Sequence, residues 1–292
     1  MRKQLPLYAM LMPTVILFAV FVYLPMAGLI IGFRKYDIVS GLFGTGALTF
    51  KYFLQFFRDP YCYRIIRNTV VLNLWMLLIA FPAPIIFVLM LNEMRQRRFK
   101  RLVQSVSYVP HFISTVIIVG IMLELLSSKG IINQMLTGIG IPKQLFFNDA
   151  RWFRFLFVGS STWEGMGWNS IIYFAALAGI NQELYEYAST EGAGRFAKIR
   201  YITIPGLLPT IVILFILAMG RIMSIGFEKV FLMHNPGTYA TADVISTYVY
   251  RRGIISADYS YATAVGFFNS IVNFILLLSA NWLTKKAGYG LW

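Results

Sequence analysis

Six long uncharged or nearly uncharged runs constrain this chain more than anything else in it. They fall at about 7–33, 68–92, 106–127, 153–180, 206–227 and 261–284. A helix rises roughly 1.5 Å per residue, so about 20 apolar residues span the roughly 30 Å of a bilayer's hydrocarbon. Lipid offers backbone amides no partner, so runs of this kind cross as helices that bond to themselves. The sequence therefore predicts an all-α polytopic membrane protein with six transmembrane helices. It forms one domain over residues 1–292, with no soluble catalytic domain attached. Composition agrees: 58% of residues are hydrophobic and 13% charged, where an ordinary soluble domain is about a quarter charged. The first run, uncharged from Gln4 to Phe33, is far longer than the apolar core of a secretory signal and is read as a true span. The fourth and fifth runs are less apolar, since Arg154 and Glu164 fall in one and Arg221 in the other.

Orientation follows from Lys and Arg near the span ends. Raw counts on the two sides nearly balance, but the densest basic run, "EMRQRRFKR" at 93–101, lies between the second and third spans. That places this connection, the 181–205 connection and both termini in the cytoplasm, with Arg2 and Lys3 inside. The net charge of +14 is then a product of topology and contact with membrane lipid, and no nucleic-acid partner is expected. An unusually basic outer side remains. It includes the 34–67 loop, where Phe50, Phe53, Leu54, Phe56 and Phe57 share one side of a helix. Such a helix either lies at the headgroups or packs on the outer ends of the spans.

Catalytic motifs are absent. There is no phosphate-cradling G-x-x-x-x-G-K-[ST], no dinucleotide-binding G-x-G-x-x-G and no H-E-x-x-H, so the chain is not expected to be an enzyme. One cysteine, Cys62, excludes an internal disulfide, and His111 and His234 fall near opposite membrane faces, so no metal site is expected. Polar residues inside spans carry more information, because they are costly in lipid and face cavities or neighbouring helices. The fourth run contains "GSSTWEGMGWNS" at 159–170, which holds Ser161, Trp163, Glu164, Trp168 and Asn169. Helical spacing puts Ser161, Glu164 and Trp168 on one face near mid-membrane. Either this face packs tightly on another helix, or it lines a solute path where the carboxylate and indole N–H bind hydroxyls and the rings stack on sugars. Arg221 either snorkels to the outer headgroups or meets solute or a partner. Asn269 and Asn273, like Asn68 and Asn73, sit about a turn apart and suit hydrogen bonds between helices.

The segment "EYASTEGAGRFAKIRYITIP" at 186–205 is oddly well formed for a connector. Leu184, Tyr187, Ala188 and Glu191 share one face of a short amphipathic helix stopped by Gly192 and Gly194. A basic piece beginning at Arg195 follows, and Pro205 disfavours helix at Ile204 while suiting the first turn of the next span.

These residues resemble the permease subunits of binding-protein-dependent ABC importers. The family's cytoplasmic signature, E-A-A, three residues, G, nine residues, I-x-L-P, is matched by Glu186, Ala188, Gly192, Ile202 and Pro205. Tyr187 and Ile204 are mild departures from it. The stretches at 82–112, 171–188 and 242–254, and the terminal "YGLW", are similar to the carbohydrate-uptake branch that takes oligosaccharides and polysaccharides. The resemblance implies a six-helix core in a bacterial plasma (inner) membrane. It also implies a second homologous permease as a heterodimer partner, two ATPase subunits that hold the ATP and Mg, and an extracytoplasmic solute-binding protein. No cofactor is implied for this chain, and residues 186–192 are implied to be a coupling helix docked on an ATPase. The carbohydrate is implied by the same resemblance, and the basic outer side favours an acidic one, such as an alginate- or pectin-derived uronate. The rival classes are an ion-driven secondary transporter and a membrane-embedded transferase using Glu164 as a base.

Overall fold

The computed structural model describes residues 5–37, 39, 41–286 and 288. Arg2, Lys3 and the terminal motif at 289–292 lie outside the described residues. Four helices are long and apolar enough to cross a membrane: Tyr8–Gly32, Cys62–Asn92, Arg195–Met219 and Tyr259–Lys286. Three of them overlie expected spans with ends moved by a few residues. One expectation needs amending, since Lys35–Asp37 pairs antiparallel with Gly41–Thr45 in a short hairpin.

Three apolar helices contain a π-helical turn, and each such turn ends two residues before a proline. Ala19–Tyr23 precedes Pro25, Met76–Ala80 precedes Pro82, and Ile199–Thr203 precedes Pro205. A proline ring in an α-helix clashes with the carbonyl four residues back. Those carbonyls, of Phe21, Leu78 and Tyr201, all lie inside the wider turns. The helix passes through its proline by expanding locally, a known use of single π turns. This corrects the expectation at Pro205. Ile204 is helical, and the helix runs unbroken from Arg195 rather than restarting at the proline.

The chain divides into two compact units. The first comprises Met1–Cys62 and Tyr248–Ile271. In it the helix Lys51–Arg58 packs one side on the neighbouring helix, as one of the two expectations has it. Phe56 is buried against Phe268 and Tyr261, and Phe53 packs on Phe33 and Phe267. Phe50, Leu54 and Phe57 remain exposed. The Tyr248 and Tyr261 hydroxyls both donate to Asp59 Oδ2, at 2.5 and 3.1 Å.

The second unit comprises Tyr63–Thr247 and Val272–Trp292. Its longest stretch of unbroken α-helix is Ala150–Ala178, begun by Asp149, whose side chain accepts from the Arg151 N–H. Hydrogen bonds from Arg151 hold the Asp149 carboxyl below its usual range. Phe153, Phe157 and Val158 on this helix pack with Leu72, Val119, Val230, Met233 and Val244 in the main apolar core. Above that core a polar cluster pins the helix ends. Buried Asp243 accepts from Arg64 at 3.3 Å and from the Thr247 hydroxyl at 3.0 Å. The Asn68 amide donates to the Asp243 carbonyl, and Arg154 donates to Asn68 Oδ1. Arg154 is thereby accommodated in a predicted span. Asn73 bonds only back to the Thr69 carbonyl in its own helix, so it does not pair across helices as expected.

The third and fifth expected spans differ in kind from simple crossings. Residues 106–127 are not straight: Arg97–Phe112 and Thr115–Leu125 meet at 97°. Pro110 and the Ser114 cap, which accepts from the Ile117 N–H, set the corner. The expected fifth span at 206–227 begins earlier and stops at Met219. Irregular backbone then carries the chain to a separate helix, Phe227–Met233.

Candidate functional site

Two places bring the sequence-selected residues together, both in the second unit. At the polar connection, Asn181 Oδ1 accepts from the Glu183 N–H and opens the helix Gln182–Thr190. Its C-terminus is closed by two paired bonds, Ala193 N–H to the Ala188 carbonyl at 2.8 Å and Gly192 N–H to the Ser189 carbonyl at 3.1 Å. With Gly192 at φ +75° this is a Schellman closure, which needs a left-handed residue at that position. A Cβ built at Gly192 meets nothing within 4 Å. Its glycine is required by conformation, not by the lack of room that small size at a turn suggests.

The predicted face splits. Leu184 and Tyr187 are 51% and 69% exposed, with Glu186 and Glu191 also exposed, whereas Ala188 is half-buried toward the chain. Behind the helix lies a cleft of about 460 Å³ lined by Glu93, Arg95, Tyr185, Glu186, Arg195 and Lys198, among others. Arg195 Nε reaches Glu93 Oε2 at 3.9 Å, Lys198 donates to Ser189 Oγ at 2.7 Å, and the Tyr185 and Thr203 hydroxyls are 2.9 Å apart. These contacts tie the short helix to the end of Cys62–Asn92 and to the start of Arg195–Met219. Ile202 is half-buried on the latter helix, and Pro205 is exposed on it.

At the second place, Glu164 is the central residue of Ala150–Ala178. It is not a free carboxylate. Lys229 Nζ donates to Glu164 Oε2 at 2.8 Å, with side chains 10% and 23% exposed respectively. Lys229 lies just past the expected fifth span, and sequence reasoning missed this pairing. Such a paired carboxylate is poorly suited to the base of a transferase. Trp168 stacks face to face on His111 at 4.4 Å and 8°, with Phe112 edge-on to it. Trp163, Trp168 and Asn169 are exposed on the same helix, and Ser161 is half-buried. The glycines of this stretch serve packing at one place: a Cβ at Gly167 would overlap the Ser107 carbonyl. Gly159 has open space, and Gly165 faces only its own Asn169, so the helix is continuous rather than loosened.

Arg221 and Asn273 meet the irregular segment after Met219. Asn273 Oδ1 accepts from the Met223 N–H at 2.8 Å, and its amide donates to Ser224 Oγ at 2.8 Å. Arg221 is exposed in the turn that begins the segment. Asn269 is half-buried one turn before Asn273.

Residues 77–289 match the family described as "Binding-protein-dependent transport system inner membrane component". Protein LplB of Bacillus subtilis (strain 168) is 43% identical over 287 residues, 98% of this chain and 90% of that protein. The polygalacturonan/rhamnogalacturonan transport system permease protein YteP of the same organism is 39% identical, over 98% of this chain and 89% of that protein. Among solved structures, a chain of a bacterial ABC transporter involved in the import of the acidic polysaccharide alginate superposes with a TM-score of 0.90 at 40% identity. It covers 98% of this chain and 96% of that one. A chain from the alginate transporter in complex with an alginate pentasaccharide-bound periplasmic protein gives 0.91, at 40% identity and 99% and 97% coverage.

Proposed function

The chain belongs to the family of binding-protein-dependent transport system inner membrane components, and from that premise we propose how its two sites work in an ATP-driven importer of an acidic oligo- or polysaccharide. The observation that carries the reading is near full-length likeness, at 40% identity, to a chain of an importer whose cargo is an acidic polysaccharide. The polygalacturonan/rhamnogalacturonan relative supports the same class of cargo, as does the basic outer side of this chain.

In this reading the chain spans the membrane six times with both termini cytoplasmic. Ala150–Ala178 and the bent pair Arg97–Phe112 with Thr115–Leu125 supply the two crossings beyond the four apolar helices. A second permease completes the translocation path, two ATPase subunits bind ATP and Mg, and an extracytoplasmic binding protein delivers the sugar. Gln182–Thr190 is the coupling helix. Leu184, Glu186, Tyr187 and Glu191 meet the ATPase, Ala188 and Ile202 seat the helix on the permease, and the Gly192 closure keeps it rigid. Arg195 and Pro205 join its motion to the fifth span. ATP binding draws the docked helices together and opens the path outward, and hydrolysis resets it. Ser161, Trp163, Glu164, Trp168, Asn169, Arg221, Asn269 and Asn273 supply the polar and aromatic groups of the path.

The experiment compares Gly192→Trp and Gly192→Asn in the purified assembly. Asn tolerates a left-handed backbone and is expected to keep uptake near wild type. Trp is expected to leave membrane insertion intact while uptake falls at least tenfold. Wild-type uptake in Gly192→Trp removes the coupling role.

A further inference from the structure

The helix Arg97–Tyr108 has three distinct sectors. Val103, Gln104, Ser107 and Tyr108 are half-buried, and Ser107 presents its carbonyl to Gly167 of Ala150–Ala178. Phe99, Leu102, Val106 and Val109, at helical spacing, form an apolar stripe that is 49–61% exposed among the described residues. Beside that stripe, Arg97, Arg98 and Arg101 are exposed, and none has an ion-pair partner among the described residues.

Depth is set by the same packing. Lys100 Nζ lies 5.7 Å from the centre of the Phe174 ring. Phe174 is about 6 Å from the end of its helix at Ala178, and polar chain follows from Asn181. Arg97 and Arg98, a turn before Lys100, therefore sit at the membrane surface. Leu102, Val106 and Val109 point from there into hydrocarbon.

We propose that the outer face of Arg97–Tyr108 is a binding site for an anionic phospholipid, with Arg97, Arg98 and Arg101 on the headgroup phosphate and Phe99, Leu102 and Val106 along the acyl chains. Charge complementarity selects this occupant. A cluster of arginines without internal carboxylates gains from an anionic headgroup and gains little from a zwitterionic one. An apolar stripe continuous with that cluster suits acyl chains. The inference depends on the helix lying at a bilayer surface and not on which sugar is carried.

The test uses the whole importer, in a Cys62→Ala background, with a fluorophore on Phe99→Cys or, independently, Leu102→Cys. Nanodiscs carry equal mole fractions of brominated phosphatidylglycerol or brominated phosphatidylcholine. Stronger quenching by phosphatidylglycerol at both positions is expected. The preference should shrink by roughly fivefold for each arginine changed to glutamine at low salt, and less as salt rises. Equal quenching by the two lipids overturns the proposal by making the contact generic. Absence of quenching by either overturns it by placing the second permease on this face.

Discussion

Glu164 and Lys229 pair at 2.8 Å with little solvent around the lysine. Removing one partner of a fully buried pair strands the other charge and costs about 3–5 kcal/mol. Glu164 is 23% exposed, so about 2 kcal/mol is expected for Glu164→Gln. The double variant Glu164→Gln/Lys229→Met should be more stable than Glu164→Gln alone, read as the temperature of half-denaturation of the purified assembly. Additive losses would show that the two residues act separately. Glu164 was legible in the sequence as a charge in an apolar run. Lys229 was not, because the two are 65 positions apart and the lysine follows a break that hydropathy does not reveal. Gly192 was legible in place but not in cause. Spacing marks the turn, and only the backbone shows that φ, not space, demands glycine.

At the scale of elements, the apolar helices were readable because length and hydropathy decide them. Their irregularities were not, because these arise from local backbone accounting. The π turns are the clearest example. A proline in an apolar run suggests a break, yet at Pro25, Pro82 and Pro205 the helix widens and continues. The fifth span shows the converse, since an apolar sequence through Ile225 leaves helix at Met219. Irregular backbone at this depth is tolerated only where its polar groups are satisfied, and Asn273 provides that at Met223 and Ser224. Asn273→Ala strands the buried Met223 N–H, at about 1–3 kcal/mol. Faster hydrogen exchange at 222–224, with exchange in Ala150–Ala178 unchanged, is the expected outcome. Unaltered protection at 222–224 would mean that the segment holds itself. The bend at 113–114 likewise escaped the sequence reading, although Pro110 and the Ser114 cap were both visible as residues.

For the whole molecule, family membership came from five spaced residues in the 186–205 connection, which occupy one capped helix, its turn and the following helix. In the proposed reading, work reaches this chain from an ATPase partner through Gln182–Thr190, a helix capped at both ends. The cargo is less legible in one chain, since in the proposed importer a second permease supplies part of the translocation path. The most direct measurement is uptake of a labelled uronate oligosaccharide, and of a neutral one of equal length, into vesicles holding the purified importer. ATP is supplied inside and the loaded binding protein outside. The account predicts uptake that needs both ATP and binding protein and favours the uronate. Uptake that proceeds on an ion gradient without the ATPase subunits would contradict it.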